Sequence, residues 1–491
     1  MSPHVTGQLP EDGETSQETS PLLLQNPETL ILRSVDEECV DQAREERSLL
    51  QKLDKRMSIL VLIYILNYID RNNVAAARLE GFEEDLGLEG SQYATILSVL
   101  YIAYCVMQVP SNLFLLDTRP SIYLPSCMVV WGIMSVFTGF TTNFFGALCT
   151  RFFIGFVEAA FFPGALFLIS KWYKQNELSQ RTAYLSSGSL VANATGSLIA
   201  SGILKAMRGV LGIASWRWLF FIEGGLTVAV AFWAIFVLPD FPESPNPWLT
   251  PSEKAIALKR IKSELHKPEP MLIGKSNILN PLILAVSDWK VWYLAVTMTF
   301  LTLSLSFNAY FPSITATLRF SPTVTLLLCV PPFLFATFAA ISLSKHSDQV
   351  GERCKHISFS LAGGILGFFI AMSTMNSALR YLSLFLMAQS YAGHIIFLAW
   401  ASGSVAHPPA KRAVALALMN TVSSLGNVIG SYAWPKEWEP DYTKSFAICI
   451  LASTMCIIMC WTFRQHLATA NADAARKETE HGLPVGHRYL L

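Results

Sequence analysis

Two short runs hold the residues best placed for ion chemistry. The first is Tyr64-Ile-Leu-Asn67-Tyr68-Ile-Asp70-Arg71-Asn72-Asn73, and the second opens on Arg151 and runs through Gly155 and Glu158 to Pro163-Gly164. At 3.6 residues per turn, Tyr64, Asn67 and Arg71 share one helix face and Asp70 lies beside it, which makes a polar stripe on an otherwise apolar helix. Arg151 and Glu158, two turns apart, share a face at about 10 Å, with Gly155 opening space between them. They are too distant to satisfy each other, so a ligand or another helix has to complete each charge. Guanidinium groups at Arg151 and Arg71 suit bidentate capture of a carboxylate, and Asp70 and Glu158 suit reversible protonation. The competing reading is structural: Asp70 and Arg71 neutralise each other near a helix end, and all four charges form a static salt-bridge network.

Weaker candidates follow. Asn308, Tyr310, Asn420 and Asn427 supply polar groups that would orient a ligand or bond across helices. Glu223, six residues after Arg217, reads as a structural charge, and His394 as a hydrogen-bonded core residue before a proton relay. The run Ser347-Asp348-Gln-Val-Gly351-Glu352-Arg353-Cys-Lys355 mixes acid and base between two helix ends, which fits a gating latch carried by Asp348, Gly351 and Arg353. No nucleophile-base pair and no metal-ligand cluster stands out, so neither an enzyme nor a metal or other cofactor is expected.

The elements that must position these residues are membrane spans. The chain has 491 residues, 52% hydrophobic and only 15% charged, with a mean hydropathy of +0.39. A soluble chain would carry about 25% charged residues. The formal charge of zero removes any basic field for nucleic acid. Nine cysteines, an odd number lying mostly in apolar runs, read as buried thiols. With about 20 apolar residues per crossing, twelve spans are expected: 57–77, 92–116, 121–140, 144–169, 182–204 and 216–238, then 289–313, 322–344, 356–376, 379–403, 412–433 and 443–463. They group as two six-helix bundles, 57–238 and 289–463, joined by a Pro-rich, basic, hinge-like linker, 239–288. The tail 1–56 holds 12 acids against 6 bases and lacks a signal peptide; its first 35 residues are expected to be disordered and Val35 to Arg56 helical. A second tail covers 464–491. Loops on the side of both tails carry 15 Lys and Arg, far more than the opposite loops, which puts both termini in the cytosol. At ~1.5 Å per residue Glu158, Asp70 and Arg151 would lie at about 17, 20 and 27 Å from the inner face, deep enough to share one cavity. Asn193-Ala-Thr-Gly196-Ser197 in span five is echoed by Asn427-Val-Ile-Gly430-Ser431 in span eleven, and Gly188, Ala192, Gly196 and Ala200 form a small-residue packing ridge.

Several motifs carry a family resemblance. The Asn67–Asn73 run, Val109-Pro110-Ser111-Asn112-Leu113, Trp131-Gly132, Arg151-Phe152 through Glu158-Ala159 and Pro163-Gly164, Trp172-Tyr173, Trp216-Arg217-Trp218-Leu219-Phe220 and Leu238-Pro239-Asp240-Phe241-Pro242-Glu243 together resemble the fungal allantoate permease branch of the anion:cation symporters, within the major facilitator superfamily. The resemblance covers roughly Lys55 to Arg464. It implies a major facilitator fold with spans one, four, seven and ten around a cavity, and proton-coupled symport of a small organic anion such as nicotinate, pantothenate, biotin, allantoate or tartrate. Asp70 and Glu158 would couple protons and Arg71 and Arg151 would bind the anion; Asn67 and Tyr64, on the polar stripe read from the helical period, are further candidates for contact with it. Two departures are Asp117-Thr118-Arg119-Pro120, a degenerate loop signature, and a span five without the Gly-Pro-rich antiporter motif. The expected partners are the anion, protons and the lipid bilayer, for a monomer in the plasma membrane, with the vacuolar membrane as the alternative because Glu18, Leu22 and Leu23 have sorting-signal spacing. A metabolite-exporting antiporter and a non-transporting ligand sensor are the rival functions.

Overall fold

The computed structural model describes residues 27–265, 279–405, 409–481 and 488–491. Of the 35 residues expected to be disordered, the first 26, with the Glu18–Leu23 signal, lie outside them, and the rest are helical. Among the described residues the protein is helical, without strands. It divides into two units, Met1–Lys52 and Leu53–Leu491. In the first, the described residues are helical, and the expected Val35–Arg56 helix falls within Pro27–Arg78. All that follows concerns the second.

Among the described residues, nine helical stretches are long and apolar enough to cross a membrane, and they coincide with nine of the twelve expected spans: three, four, six to ten, eleven and twelve. Expected spans one, two and five lie on Pro27–Arg78, Gln92–Asp117 and Gln175–Ala206. In the first, the polar residues Asn67, Asp70, Arg71, Asn72 and Asn73 dilute the apolar signal that a lipid-facing helix gives at full strength, while Gln92–Gln108 of the second is apolar.

Small residues set the helix contacts. A Cβ on Gly224 would lie 2.8 Å from the Gly132 carbonyl, so Ser215–Val237 meets Pro120–Thr138 nearly backbone to backbone. The ridge of span five packs on span one, Gly188 against Tyr64 and Gly196 against Ile69. Gly155 is a different case from the one its spacing suggested. The space its missing side chain leaves is filled by the backbone of Leu100, whose carbonyl would lie 2.2 Å from a Cβ there, so it seats span two on span four and opens no room for a ligand.

Three expected spans are broken at mid-length. Span four divides into Phe144–Glu158 and Phe161–Trp172. Pro163 lacks the N–H that the Ala159 carbonyl would accept and its ring crowds that carbonyl, so the helix stops just after Glu158. Span seven passes from Trp289–Ser304 through a tight turn, Leu305–Tyr310, into Phe311–Ala316, and span ten divides into Ser377–Gln389 and Tyr391–Ser404. The linker holds helices Pro251–Leu265 and Leu279–Val286, and Arg260 grips Glu177 at 2.7 Å. The last helix, Thr443–His481, continues well past Phe463.

Candidate functional site

The break in span four aims Glu158 at span one. Arg71 donates to Glu158 Oε2 through Nε at 3.2 Å and Nη2 at 2.9 Å, while Glu158 Oε1 has no partner. Glu158 is 2% exposed, so this ion pair is desolvated. Tyr68, Tyr101 and Tyr104 surround the guanidinium, with ring centroids 5.2, 5.7 and 5.4 Å from its carbon. Aromatic faces stabilise a cation without neutralising it. Arg71 is therefore held by one carboxylate oxygen and three rings, and it can exchange that carboxylate for another.

Arg151 lies behind this pair. Its Nη1 donates to the backbone carbonyls of Arg71 at 3.1 Å and Asp70 at 3.4 Å, and its Nε and Nη2 are buried without a partner. Arg71, Asn72, Tyr101 and Arg151 line a cavity of about 20 Å³, closed on the far side by Ala309 and by Ile96 and Leu97. That volume holds about one water. A wider, open cleft of about 690 Å³ lies elsewhere, at the Arg208–Arg217 loop, where Glu80 pairs with Arg208 at 2.5 Å and Asp85 accepts from Trp216 at 2.7 Å.

Asp70 is not in this cavity. Its carboxylate turns the other way, accepting from Ser135 at 3.0 Å and Thr227 at 2.7 Å, between spans one, three and six. Of the four charges expected to share one cavity, Arg71 and Arg151 line it and Glu158 meets it through Arg71, whereas Asp70 faces elsewhere, and the mutual neutralisation of Asp70 and Arg71 does not occur. The cause is angular: adjacent residues on a helix point about 100° apart. Near Asp70, Glu223 is buried with neither oxygen hydrogen-bonded. Arg217, its expected neighbour, instead donates to the carbonyls of Gly139 and Thr141 at 2.8 and 2.7 Å.

The remaining candidates scatter. Tyr64 stacks on Phe162 at 5.3 Å and meets Tyr68 edge-on at 4.9 Å, and the buried Asn67 amide nitrogen is unpartnered. Asn420 lies beside Tyr104, one residue before Thr421, which donates to Gln108 at 2.8 Å. Asn308 sits in the turn of span seven with its oxygen unpartnered, and the Asn427 carbonyl accepts from Ser431. His394 is on Tyr391–Ser404 with Nδ1 unpartnered. Tyr310, expected to touch ligand, belongs to a seal at one end of the bundle. Its hydroxyl donates to the Ser431 carbonyl at 2.6 Å, and its ring meets Tyr93 and lies 5.7 Å from Arg78. In that seal Arg78 bonds Glu83 at 2.7 Å, Glu439 at 3.2 Å and Ser313 at 3.3 Å, Lys436 reaches Glu83 at 3.3 Å, and Tyr432 joins Thr95 at 3.1 Å. Each of these bonds except that between Arg78 and Glu83 links 57–238 to 289–463. Tyr101, Tyr104, Ser135 and Thr227 were missed from sequence; the three-residue spacing of Tyr101 and Tyr104 was the available signal.

The run expected to form a latch lies at the opposite end. Gly351 turns the chain at φ 70°, Arg353 pairs with Asp348, and Arg464 clasps Glu352 through contacts of 2.8 and 3.2 Å. The Arg464 hydrogen bonds hold the Glu352 carboxyl below its ordinary range, as Lys411, at 2.6 Å, does for Asp288.

Comparison with known proteins agrees with this architecture. The Major Facilitator Superfamily profile matches residues 60–431. The chain is 29% identical over 434 residues to the MFS-type transporter cnsO of Penicillium expansum, covering 85% of this chain and 82% of that one. It is 28% identical over 409 residues to a putative tartrate transporter of Agrobacterium vitis, covering 82% and 90%. Its fold superposes with a TM-score of 0.64 on an inward-facing, unoccupied bacterial homolog of the human lysosomal transporter Spinster, at 16% identity over 84% of this chain and 98% of that one.

Proposed function

The chain belongs to the Major Facilitator Superfamily and is a multi-pass membrane transporter of small molecules, not an enzyme; on that premise we propose that it is a proton-coupled symporter of a small organic anion bearing a carboxylate. The observation that carries this reading is the Arg71–Glu158 pair at the break of span four, backed by the unpartnered donors of Arg151. A proton on Glu158 cancels the charge that holds Arg71. The freed guanidinium then takes the cargo carboxylate in its place, with Arg151 behind it. Proton and anion thus bind to mutual advantage, which is the thermodynamic content of symport. An anion entering an inside-negative cell is opposed by about 2.3 kcal/mol per charge per 100 mV, and one proton per monoanion removes that cost.

The finer assignments follow the same reading. The allantoate permease-like branch is supported by its motifs and by the relative named as a putative tartrate transporter. Twelve spans arranged as halves 57–238 and 289–463 around the 239–288 linker, with both tails cytosolic, accord with the charge asymmetry of the loops. In that orientation the Arg78 seal closes the outer side. The plasma membrane is the assigned location and the monomer the assigned unit.

The test is uptake by the purified protein in liposomes, across tartrate, nicotinate, pantothenate and allantoate, with and without an inward proton gradient. Gradient-driven accumulation with alkalinisation of the outside medium supports symport. Acidification outside would make it an antiporter, and binding without flux would make it a sensor. Arg151→Ala abolishes binding on this reading; unchanged affinity in that variant would count against the site.

A further inference from the structure

Glu223 is a membrane-depth carboxyl that neither the ion pair nor the cargo explains, and unlike Asp70 it accepts no side-chain hydrogen bond. It is 2% exposed and both its oxygens lack a hydrogen-bond partner. Its own helix, Ser215–Val237, holds a single cation, Arg217, which is spent on two backbone carbonyls across from Trp216. From span one the groups that bear on it are Asp70 and Asn73, the latter with an unpartnered amide nitrogen. From span three, Ser135 is committed to Asp70, and the buried Trp131 indole N–H has no partner. Glu158 and Arg151 both act electrostatically on Asp70 from span four, with opposite signs.

Register explains the arrangement. Thr227 donates to Asp70, and Glu223 lies one turn before Thr227, while Asn73 lies one turn after Asp70. On antiparallel helices these offsets put Glu223 beside Asn73, about 6 Å along the helix from the Asp70 level. Two hydroxyls donate to Asp70, which favours ionisation there over ionisation at Glu223. The Asn73 amide is the side-chain donor that bears on Glu223, but neither carboxyl oxygen has a formed hydrogen bond; no cation pairs with it among the described residues, and it faces a negative neighbour. An ionised carboxyl in that position would be uncompensated in a dry interior, whereas a protonated one is merely polar.

We propose that Glu223 is a resident proton site, coupled to Asp70 as a buried carboxyl pair on the side of span one away from the cargo cavity. The two acids hold one proton between them, on a Glu223 carboxyl oxygen while Asp70 stays ionised. Protonation of Asp70 requires Ser135 or Thr227 to turn its hydroxyl from donor to acceptor, which ties the pair to the packing of spans three and six. Use of this proton in transport rests on the symport reading; its residence does not, since it follows from burial and the missing partners.

The experiment needs no cargo. The full chain in lipid vesicles is titrated with alkali under infrared difference spectroscopy, reading the C=O band of protonated carboxyls, for wild type, Glu223→Gln, Glu223→Asp and Asp70→Asn. The expected result is a band at neutral pH that vanishes in Glu223→Gln and persists, shifted in frequency, in Glu223→Asp. In Asp70→Asn the titration midpoint of that band moves, because a neighbouring charge has been removed, an effect that a purely structural carboxyl distant from Asp70 would not show. A band undiminished in Glu223→Gln overturns the site, and an unmoved midpoint in Asp70→Asn overturns the coupling. If Glu223→Gln does not elute as a folded protein, the Glu223→Asp frequency and the Asp70→Asn midpoint decide the matter. Absence of gradient-driven uptake by the wild type would remove symport and leave this result standing.

Discussion

Replacement of Glu158 by Gln separates anion binding from proton binding. Arg71 has two N–H groups on one Glu158 oxygen, at 3.2 and 2.9 Å, and no second carboxylate within hydrogen-bond reach among the described residues. The anion and the Glu158 carboxylate therefore compete for the same donors, and only the protonated fraction of Glu158 leaves them free. Apparent affinity equals intrinsic affinity scaled by that fraction. Over the pH range in which Glu158 is mostly ionised, the fraction falls tenfold per pH unit, about 1.4 kcal/mol of apparent binding energy for each. In Glu158→Gln the competitor is gone. The amide keeps the shape and a weaker acceptor, so the fold survives at a cost well under the roughly 3–5 kcal/mol that leaving a buried ion pair half-broken costs, provided an anion is present to occupy Arg71. The assay is exchange of internal for external anion in liposomes, using whichever of the four test anions the wild type carries, with its half-saturation measured across about two pH units. The wild type should weaken about 100-fold over that range and Glu158→Gln should stay flat, retaining exchange while losing gradient-driven accumulation. A flat wild-type profile, or a variant that keeps the wild-type slope, refutes the competition at Arg71.

Further outcomes follow from other contacts. Arg78→Ala removes bonds to Glu83, Glu439 and Ser313 in the seal, so the alternative conformation gains population; with Glu439 partly exposed, a shift of about 1–2 kcal/mol is expected, roughly five- to thirtyfold. Faster thiol labelling of a Ser98→Cys reporter detects it, and labelling at the parent rate would show that the seal does not hold the state. Gly155→Ala forces a Cβ against the Leu100 backbone, which has no flexible end to yield, and should lower thermal stability in detergent by about 1–3 kcal/mol; an unchanged melting temperature would mean that spans two and four part freely. Glu352, held below 4.5 by Arg464, contributes stability that is present above its unfolded value and is lost as pH falls through the depressed folded one. Melting temperature should therefore drop on acidification below about 4.5 in the wild type and less in Glu352→Gln, and parallel curves would disprove the linkage.

The sequence made some of this legible and hid the rest for definite reasons. Helical period placed Tyr64, Asn67 and Arg71 on a common face, and two-turn spacing kept Arg151 and Glu158 apart, as the structure has them. What period does not encode is which helix stands opposite. That Arg71 completes Glu158 depends on how spans one and four cross, and Asp70, one residue earlier, consequently serves a different interface. Glu223 was paired with Arg217 on proximity in sequence, but the two lie six residues apart, 600° of helical rotation, and face different neighbours. Tyr310 shows the same limit: a polar residue in a broken span suits a cavity or a seal equally well until its partners Ser431, Tyr93 and Arg78 are in place. Gly155 suggested space, but small residues in membrane helices more often admit a neighbouring backbone.

The charges at this depth now count differently. Asp70 and Glu158 alone would balance Arg71 and Arg151, leaving the empty site neutral with both acids ionised. Glu223 adds a third acid, so neutrality requires one proton that is present before any cargo arrives. On the proposed assignment that proton stays on Glu223, and a second, on Glu158, leaves the site with one net positive charge. A monoanion at Arg71 then restores neutrality, and the loaded transporter can reorient without carrying charge through the membrane. A dianion would leave one negative charge behind, which a further proton at Asp70 is placed to cancel. The division of labour is spatial: Glu158 answers to the cargo through Arg71, while Asp70 and Glu223 answer to the packing of spans three and six. Coupling between cargo and conformation would then pass through the backbone of span one, where Arg151 grips the carbonyls of Asp70 and Arg71, the two residues whose side chains face the two proton sites.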